Sequence, residues 1–223
     1  MKALINSVSL PIWISFFLSS LIWIAFPQID VYISGLFYVE GEGFPYSKNF
    51  IEGILYESVR YVLIVLNVSA LLLWLYNRFS GKNILDFNGR KLLFVLLVLA
   101  IGSGLIVNAL LKDHWGRARP AQTIIFGGDL EFTPAFILSD QGGYSFSSGH
   151  GSAAFALMAY AMLFKRRQKV WMALAVGYGV AVSIARIVAG GHFFSDTVVS
   201  FFIILMTAKM LYYLIFEREA SSA

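Results

Sequence analysis

Six apolar stretches limit what this chain can fold into. They cover about residues 8–26, 59–76, 91–111, 151–164, 170–188 and 197–216. Most approach the ~20 residues that an α-helix needs to cross ~30 Å of hydrocarbon. The fourth is short unless the Ser-Ser-Gly-His before it joins the helix. Charged residues make up only 13% of the chain and hydrophobic ones 58%, whereas an ordinary soluble domain is about 25% charged. Mean hydropathy is +0.73. A membrane is the natural solvent for such a chain. Backbone polar groups in hydrocarbon must be satisfied within their own segment, which calls for helices. The expected fold is therefore all-α: a polytopic membrane protein with six transmembrane helices and a helical core bundle, one domain over residues 1–223. The first stretch is too long and too aromatic for a signal-peptide core, so it is expected to be a retained span.

The connections predict an orientation. Arg78, Lys82, Arg90 and Lys91 flank the link after the second span, against Asp86. Lys165-Arg166-Arg167-Gln168-Lys169 follows the fourth. Both links should face the cytoplasm by the positive-inside rule. The link after the first span holds Asp30, Glu40, Glu42, Glu52 and Glu57 and belongs outside. Six spans then put both termini in the cytoplasm, in agreement with Lys2. Residues 112–147 and 189–196 fall on the outer side. The aromatic residues of 28–57, among them Tyr32, Phe37, Tyr38 and Tyr46, suit a segment at the bilayer interface.

Polar chemistry gathers on that outer side. The chain has three histidines, and His114, His150 and His192 all fall at outer ends of spans or in outer links. Lys112 and Arg119 could hold phosphate oxygens or snorkel at a membrane edge. Ser148 and Gly149 stand where backbone N–H groups could cradle an anion, or where Ser148 simply caps a helix. Arg186, His192 and Asp196 follow in Arg-x5-His-x3-Asp spacing. If that piece is helical, His192 and Asp196 share a face one turn apart. The carboxylate would then hold one imidazole nitrogen and leave the other free to attack an electrophile. With no cysteine in the chain, disulfides, thiol catalysis and thiolate metal sites are excluded. Only Asp113 and Asp196 supply carboxylates within the clusters, a poor donor set for magnesium. No basic run interleaved with aromatics outside the spans points to nucleic acid.

In order and spacing, Lys112-x6-Arg119-Pro120, then Ser148-Gly149-His150, then Arg186-x5-His192-x3-Asp196 resembles the three-part signature of the type-2 phosphatidic acid phosphatase superfamily, in its membrane-integrated bacterial branch. Two positions depart from the usual pattern: Ser147 stands in place of proline and Ala185 in place of serine. The resemblance implies a metal-independent lipid phosphatase without cofactor. His192 would attack phosphorus, Asp196 would orient and charge-stabilise His192, and His150 would protonate the leaving oxygen and then activate water. Lys112, Arg119 and Arg186 would bind phosphate oxygens, helped by Ser148 and the Gly149 backbone. His114 and Arg117 are extra to this set; they would touch a second phosphate or a head group, or merely face water, and the latter is the preferred reading.

The expected setting is the bacterial inner membrane, with the motif region 112–196 facing the periplasm and a membrane lipid as substrate. Lipid A phosphates, undecaprenyl pyrophosphate, phosphatidylglycerophosphate and phosphatidic acid are all compatible. A lipid phosphotransferase could use the same residues. A transporter of anionic lipid is the rival from another class, but transporters place functional charges near the bilayer midplane, and here they cluster at span ends.

Overall fold

The structure is a computed structural model, and it describes residues 2–218. Met1 and residues 219–223, which include the chain end assigned to the cytoplasm, lie outside the described residues. The described residues form helices and irregular links, with only isolated β-bridges between them. Nine helices are used below: α1 (Lys2–Asn6), α2 (Leu10–Ala25), α3 (Gln28–Gly35), α4 (Phe50–Ser80), α5 (Gly89–Lys112), α6 (Gly149–Phe155), α7 (Met158–Leu163), α8 (Gln168–Val188) and α9 (Phe194–Glu217).

Four of these, α4, α5, α8 and α9, are long and apolar enough to cross a membrane. The first and fourth predicted spans take other forms. Helix α2 has 16 residues, and the chain then bends by 83° into α3. Pro27 is the cause: it lacks an N–H and disfavours helical geometry at Phe26, whose φ and ψ are −131° and 61°. The fourth stretch is divided into α6 and α7 at Ala156-Leu157. Ser152 Oγ bonds back to the Gly149 carbonyl at 2.8 Å, a contact of the kind that bends helices.

Local signals explain the remaining boundaries. Asn49 caps α4, accepting from the Ile51 N–H at 2.9 Å. Gly81, at φ +69°, ends it in the left-handed conformation. Helix α4 thus starts well before the predicted residue 59, and Glu52 and Glu57 are helical rather than part of a loop. Asn88 caps α5 through the Lys91 N–H. From Val98 onward α5 widens into π-helix, a form that recurs at functional sites.

The packed centre joins α5, α6, α7, α8 and α9 through Phe94, Val98, Phe155, Met158, Ala175 and Ile204. Gly102 lets α5 approach α9 closely; a Cβ there would stand 2.7 Å from Ile204 Cδ1. Small residues of this kind carry helix contacts where the hydrophobic effect does not. The arrangement brings the start of α4, the end of α5, the start of α6, the end of α8 and the start of α9 to one end of the bundle. At the other end Lys91 pairs with Asp86 at 3.2 Å. There a hollow of ≈ 560 Å³, lined by Leu73, Phe87, Tyr160 and Lys165 among others, holds none of the motif residues.

Candidate active site

The link between α5 and α6 is long but ordered by its own backbone. Gly143 N–H donates to the Gly116 carbonyl at 2.9 Å, and Ser145 N–H to that of Arg117 at 3.0 Å. Gly116 is required here: its φ is +70°, and a side chain would run into the Ser139 carbonyl. This pairing carries Ser145 and Arg117 inward beneath the start of α9.

His192 lies there, buried and 2% exposed. Its Nδ1 stands 2.7 Å from the Ser145 carbonyl oxygen. A carbonyl only accepts, so Nδ1 carries the proton and Nε2 presents a lone pair. Asp196 Oδ2 is 3.6 Å from the same nitrogen, too far for a hydrogen bond and near enough for charge attraction. The expectation of one shared helical face is corrected: α9 begins at Phe194, and His192 precedes it. The two side chains meet because Asp196, at the third helical position, reaches back to the Phe193 N–H at 2.9 Å. That bond closes the turn between His192 and the helix.

Asp196 is fully buried and heavily bonded. It accepts from Arg117 Nη1 at 2.5 Å and from Ser145 Oγ at 2.6 Å. The reading of Arg117 as water-facing is overturned. Its side chain has no exposure and bridges Asp196 to Asp30 of α3, whose Oδ2 lies 2.8 Å from Nη2. Arg117 Nη1 also reaches Ser195 Oγ at 2.9 Å, and Nε reaches the Thr133 carbonyl at 2.8 Å. Its guanidinium stacks over Phe193 at 4.3 Å. A buried cation requires this many partners. Ser195 in turn bonds Asp30 through both its N–H and its hydroxyl. His114, by contrast, is exposed.

The three candidate phosphate-binding cations lie within electrostatic reach of one another and of His150. Lys112 ends α5, and its Nζ lies 3.4 Å from where a Cβ on Gly149 would stand. Arg119 and Arg186 are both within electrostatic reach of Lys112. Burial, then Arg186 beside it, holds the Arg119 pKa below its ordinary value. Arg186 ends α8, where its carbonyl accepts from Gly191 N–H at 2.9 Å and His192 N–H at 3.3 Å. The chain folds back so tightly that a Cβ on Gly191 would meet Arg186 Cζ at 2.8 Å. Arg186 Nε is buried without a hydrogen-bond partner.

Ser148 is the N-cap of α6 and accepts from the Gly151 N–H at 3.2 Å. Its own N–H donates to the Asp196 carbonyl at 3.3 Å. The cap and the motif are thus one feature. His150 follows, half-buried and stacked on Tyr56 of α4 with ring centroids 4.1 Å apart. Arg186, His192, Lys112 and Arg119 all lie within electrostatic reach of it. Burial, opposed by Asp196 and reinforced by Arg186 and Arg119, holds the His192 pKa below its ordinary value and so favours the neutral imidazole. Among the described residues, no three His, Cys, Asp or Glu side chains group to hold a metal.

The eight residues singled out from the sequence therefore meet at one end of the bundle. Sequence reasoning missed Arg117, Asp30, Ser145, Glu52 and Tyr56. Arg117 lay inside the first motif and Ser145 three residues before the second; Asp30, Glu52 and Tyr56 carried no local signal.

The fold and site define a helical, membrane-type phosphate-handling protein: a neutral histidine, a second histidine and three cations at the ends of apolar helices. Residues 91–220 match the PAP2 superfamily, and the chain belongs to it as a phosphatase. It is 31% identical over 208 residues to a lipid A 4′-phosphatase of Francisella tularensis subsp. novicida (strain U112), covering 91% of this chain and 93% of that protein. It is 31% identical over 194 residues to a lipid A 4′-phosphatase of Rhizobium leguminosarum, covering 78% of this chain and 82% of that one. A Rhizobium etli protein of the same description is 33% identical over 195 residues, covering 77% of this chain and 73% of that one. No solved structure matches the chain.

Proposed function

We propose that this protein removes the 4′-phosphate of a lipid A-type glycolipid at the outer face of the bacterial inner membrane, through a phosphohistidine on His192. The observation that carries the chemistry is the 2.7 Å bond from Nδ1 to the Ser145 carbonyl, which leaves Nε2 free. The description shared by three relatives supports the substrate.

In the first step the Nε2 lone pair of His192 attacks phosphorus, and the bond from phosphorus to the lipid oxygen breaks. His150 gives its proton to that oxygen. Lys112, Arg119 and Arg186 neutralise the equatorial oxygens, the chief requirement of phosphoryl transfer; the Ser148–Gly149 turn shapes the floor. In the second step water attacks phosphorus and yields its proton to His150. The N–P bond breaks, its electron pair returns to Nε2, and inorganic phosphate leaves. Asp196 offsets the positive charge that His192 gains, while Ser145 fixes its ring.

The whole chain acts as one domain with six membrane crossings. Helix α2, and the α6–α7 pair, add to the four long helices. Both termini are cytoplasmic and the motif end is periplasmic, in line with the basic links at the opposite end. Purified protein in detergent with chelator should release phosphate from lipid A that carries a 4′-phosphate. No release from lipid A, phosphatidic acid, phosphatidylglycerophosphate or undecaprenyl pyrophosphate, with the protein folded, would reject the reading.

A further inference from the structure

One wall of the site carries a negative charge. Glu52, in the first turn of α4, places Oε1 2.6 Å from Arg186 Nη1, and the two side chains are only 10% and 13% exposed. One turn further on, Tyr56 lies under the Arg186 guanidinium, 4.7 Å from ring centroid to Cζ, and stacks on His150. Glu52, Tyr56, Arg186 and His150 thus form a continuous wall. Arg186 keeps donors for a phosphate despite the Glu52 bond, because a guanidinium has five and its buried Nε has no partner.

The position of this wall matters for the leaving group. Attacking and leaving atoms lie roughly in line through phosphorus. With His192 as nucleophile, the leaving oxygen departs on the side of the proton donor, His150. It therefore emerges near Tyr56, which stacks on His150, with Glu52 one helical turn away along α4 and paired to Arg186. An alcohol leaving group brings no charge to that wall. The leaving group of a diphosphate is itself a phosphate, and it would stand beside the Glu52 carboxylate. Charge balance points the same way. Three cations face the phosphate, and Glu52 offsets one of them. The deeper Arg117 adds no spare charge, since it already lies between Asp30 and Asp196.

We propose that Glu52 is a specificity-determining residue that selects phosphomonoesters, such as a sugar phosphate on a lipid, over lipid diphosphates. This rests on the assignment of His192 and His150 under Proposed function. Glu52→Gln removes the charge and keeps an oxygen to accept from Arg186, so it separates charge from positioning. Two readouts are needed on the full chain in detergent. One is the ratio of kcat/KM for lipid A bearing a 4′-phosphate to that for undecaprenyl pyrophosphate. The other is binding of inorganic phosphate and inorganic pyrophosphate, followed by calorimetry.

The expected result is a shift of both ratios toward the diphosphate by about tenfold in Glu52→Gln, the scale of two unit charges roughly 10 Å apart at an effective dielectric constant of about 20. Ratios unchanged within about twofold would overturn the proposal. Wild-type protein that binds pyrophosphate more tightly than phosphate would also overturn it, and this arm decides the matter even if the variant fails to fold. If wild-type protein turns over neither lipid, the proposed function fails, while the anion-binding comparison still judges Glu52.

Discussion

Arg117 Nη1 stands 2.5 Å from Asp196 Oδ1, and neither side chain has any exposure. The same guanidinium holds Asp30 at 2.8 Å, so one cation ties α3, the α5–α6 link and the start of α9 together. Removing it would strand two buried carboxylates. Arg117→Met should destabilise the protein by about 3–5 kcal/mol, the usual cost of breaking a buried ion pair from one side. Arg117→Lys should recover only part of this, because an ammonium cannot fork between two carboxylates. Thermal unfolding in detergent tests both; a midpoint unchanged in Arg117→Met would show that the network is unimportant to stability.

Gly191 allows a different separation. A methyl group there would press on the Arg186 guanidinium, the far end of a long side chain rather than backbone. Gly191→Ala should therefore cost little stability but displace a phosphate-binding group. We expect kcat/KM to fall at least about tenfold, since small misplacements of positioning groups cost that much or more. Steady-state kinetics beside a melting curve checks the split. Equal activity would mean Arg186 is not held where phosphate binds.

The His192 ring should report its own protonation. Its Nδ1 hydrogen bond predicts the Nδ1–H tautomer at pH 7, visible in nitrogen NMR of histidine-labelled protein. Burial lowers its folded pKa below the unfolded 6.5. Protonation then favours the unfolded chain, so the stability linked to this group is complete above pH 6.5 and declines as pH falls below it. A titration midpoint above 6.5, or the opposite tautomer, would contradict the geometry.

Because the chain lacks cysteine, orientation can be tested with single introduced thiols. Asp140 and Arg166 are both exposed and lie at opposite ends of the bundle. Asp140→Cys should react with a membrane-impermeant maleimide applied from the periplasmic side, and Arg166→Cys should not. The reverse pattern would invert the proposed topology.

Much of this architecture was legible because hydrocarbon imposes a simple length and composition rule. Helices α5, α8 and α9 begin and end within a few residues of the apolar stretches. Helix α4 was misjudged at its start, since Glu52 and Glu57 read as loop charges although Asn49 offers a cap. The break between α6 and α7 has no proline or glycine to announce it. In the site, the motif spacing brought eight residues together on paper as they are in space. The Arg117–Asp30 pair was not legible, because the two residues are 87 positions apart and nothing local marks either as buried. The role of Ser145 was hidden for another reason: its carbonyl faces His192, and a backbone group leaves no trace in residue type.

The central claim is that phosphate passes through His192. Purified protein mixed with lipid A carrying a labelled 4′-phosphate, then quenched in alkali within a turnover, should yield a phosphorylated peptide spanning His192. The phosphate should be acid-labile, and it should be absent from His192→Ala. Full-rate phosphate release without any covalent label, or label that persists in His192→Ala, would contradict the account.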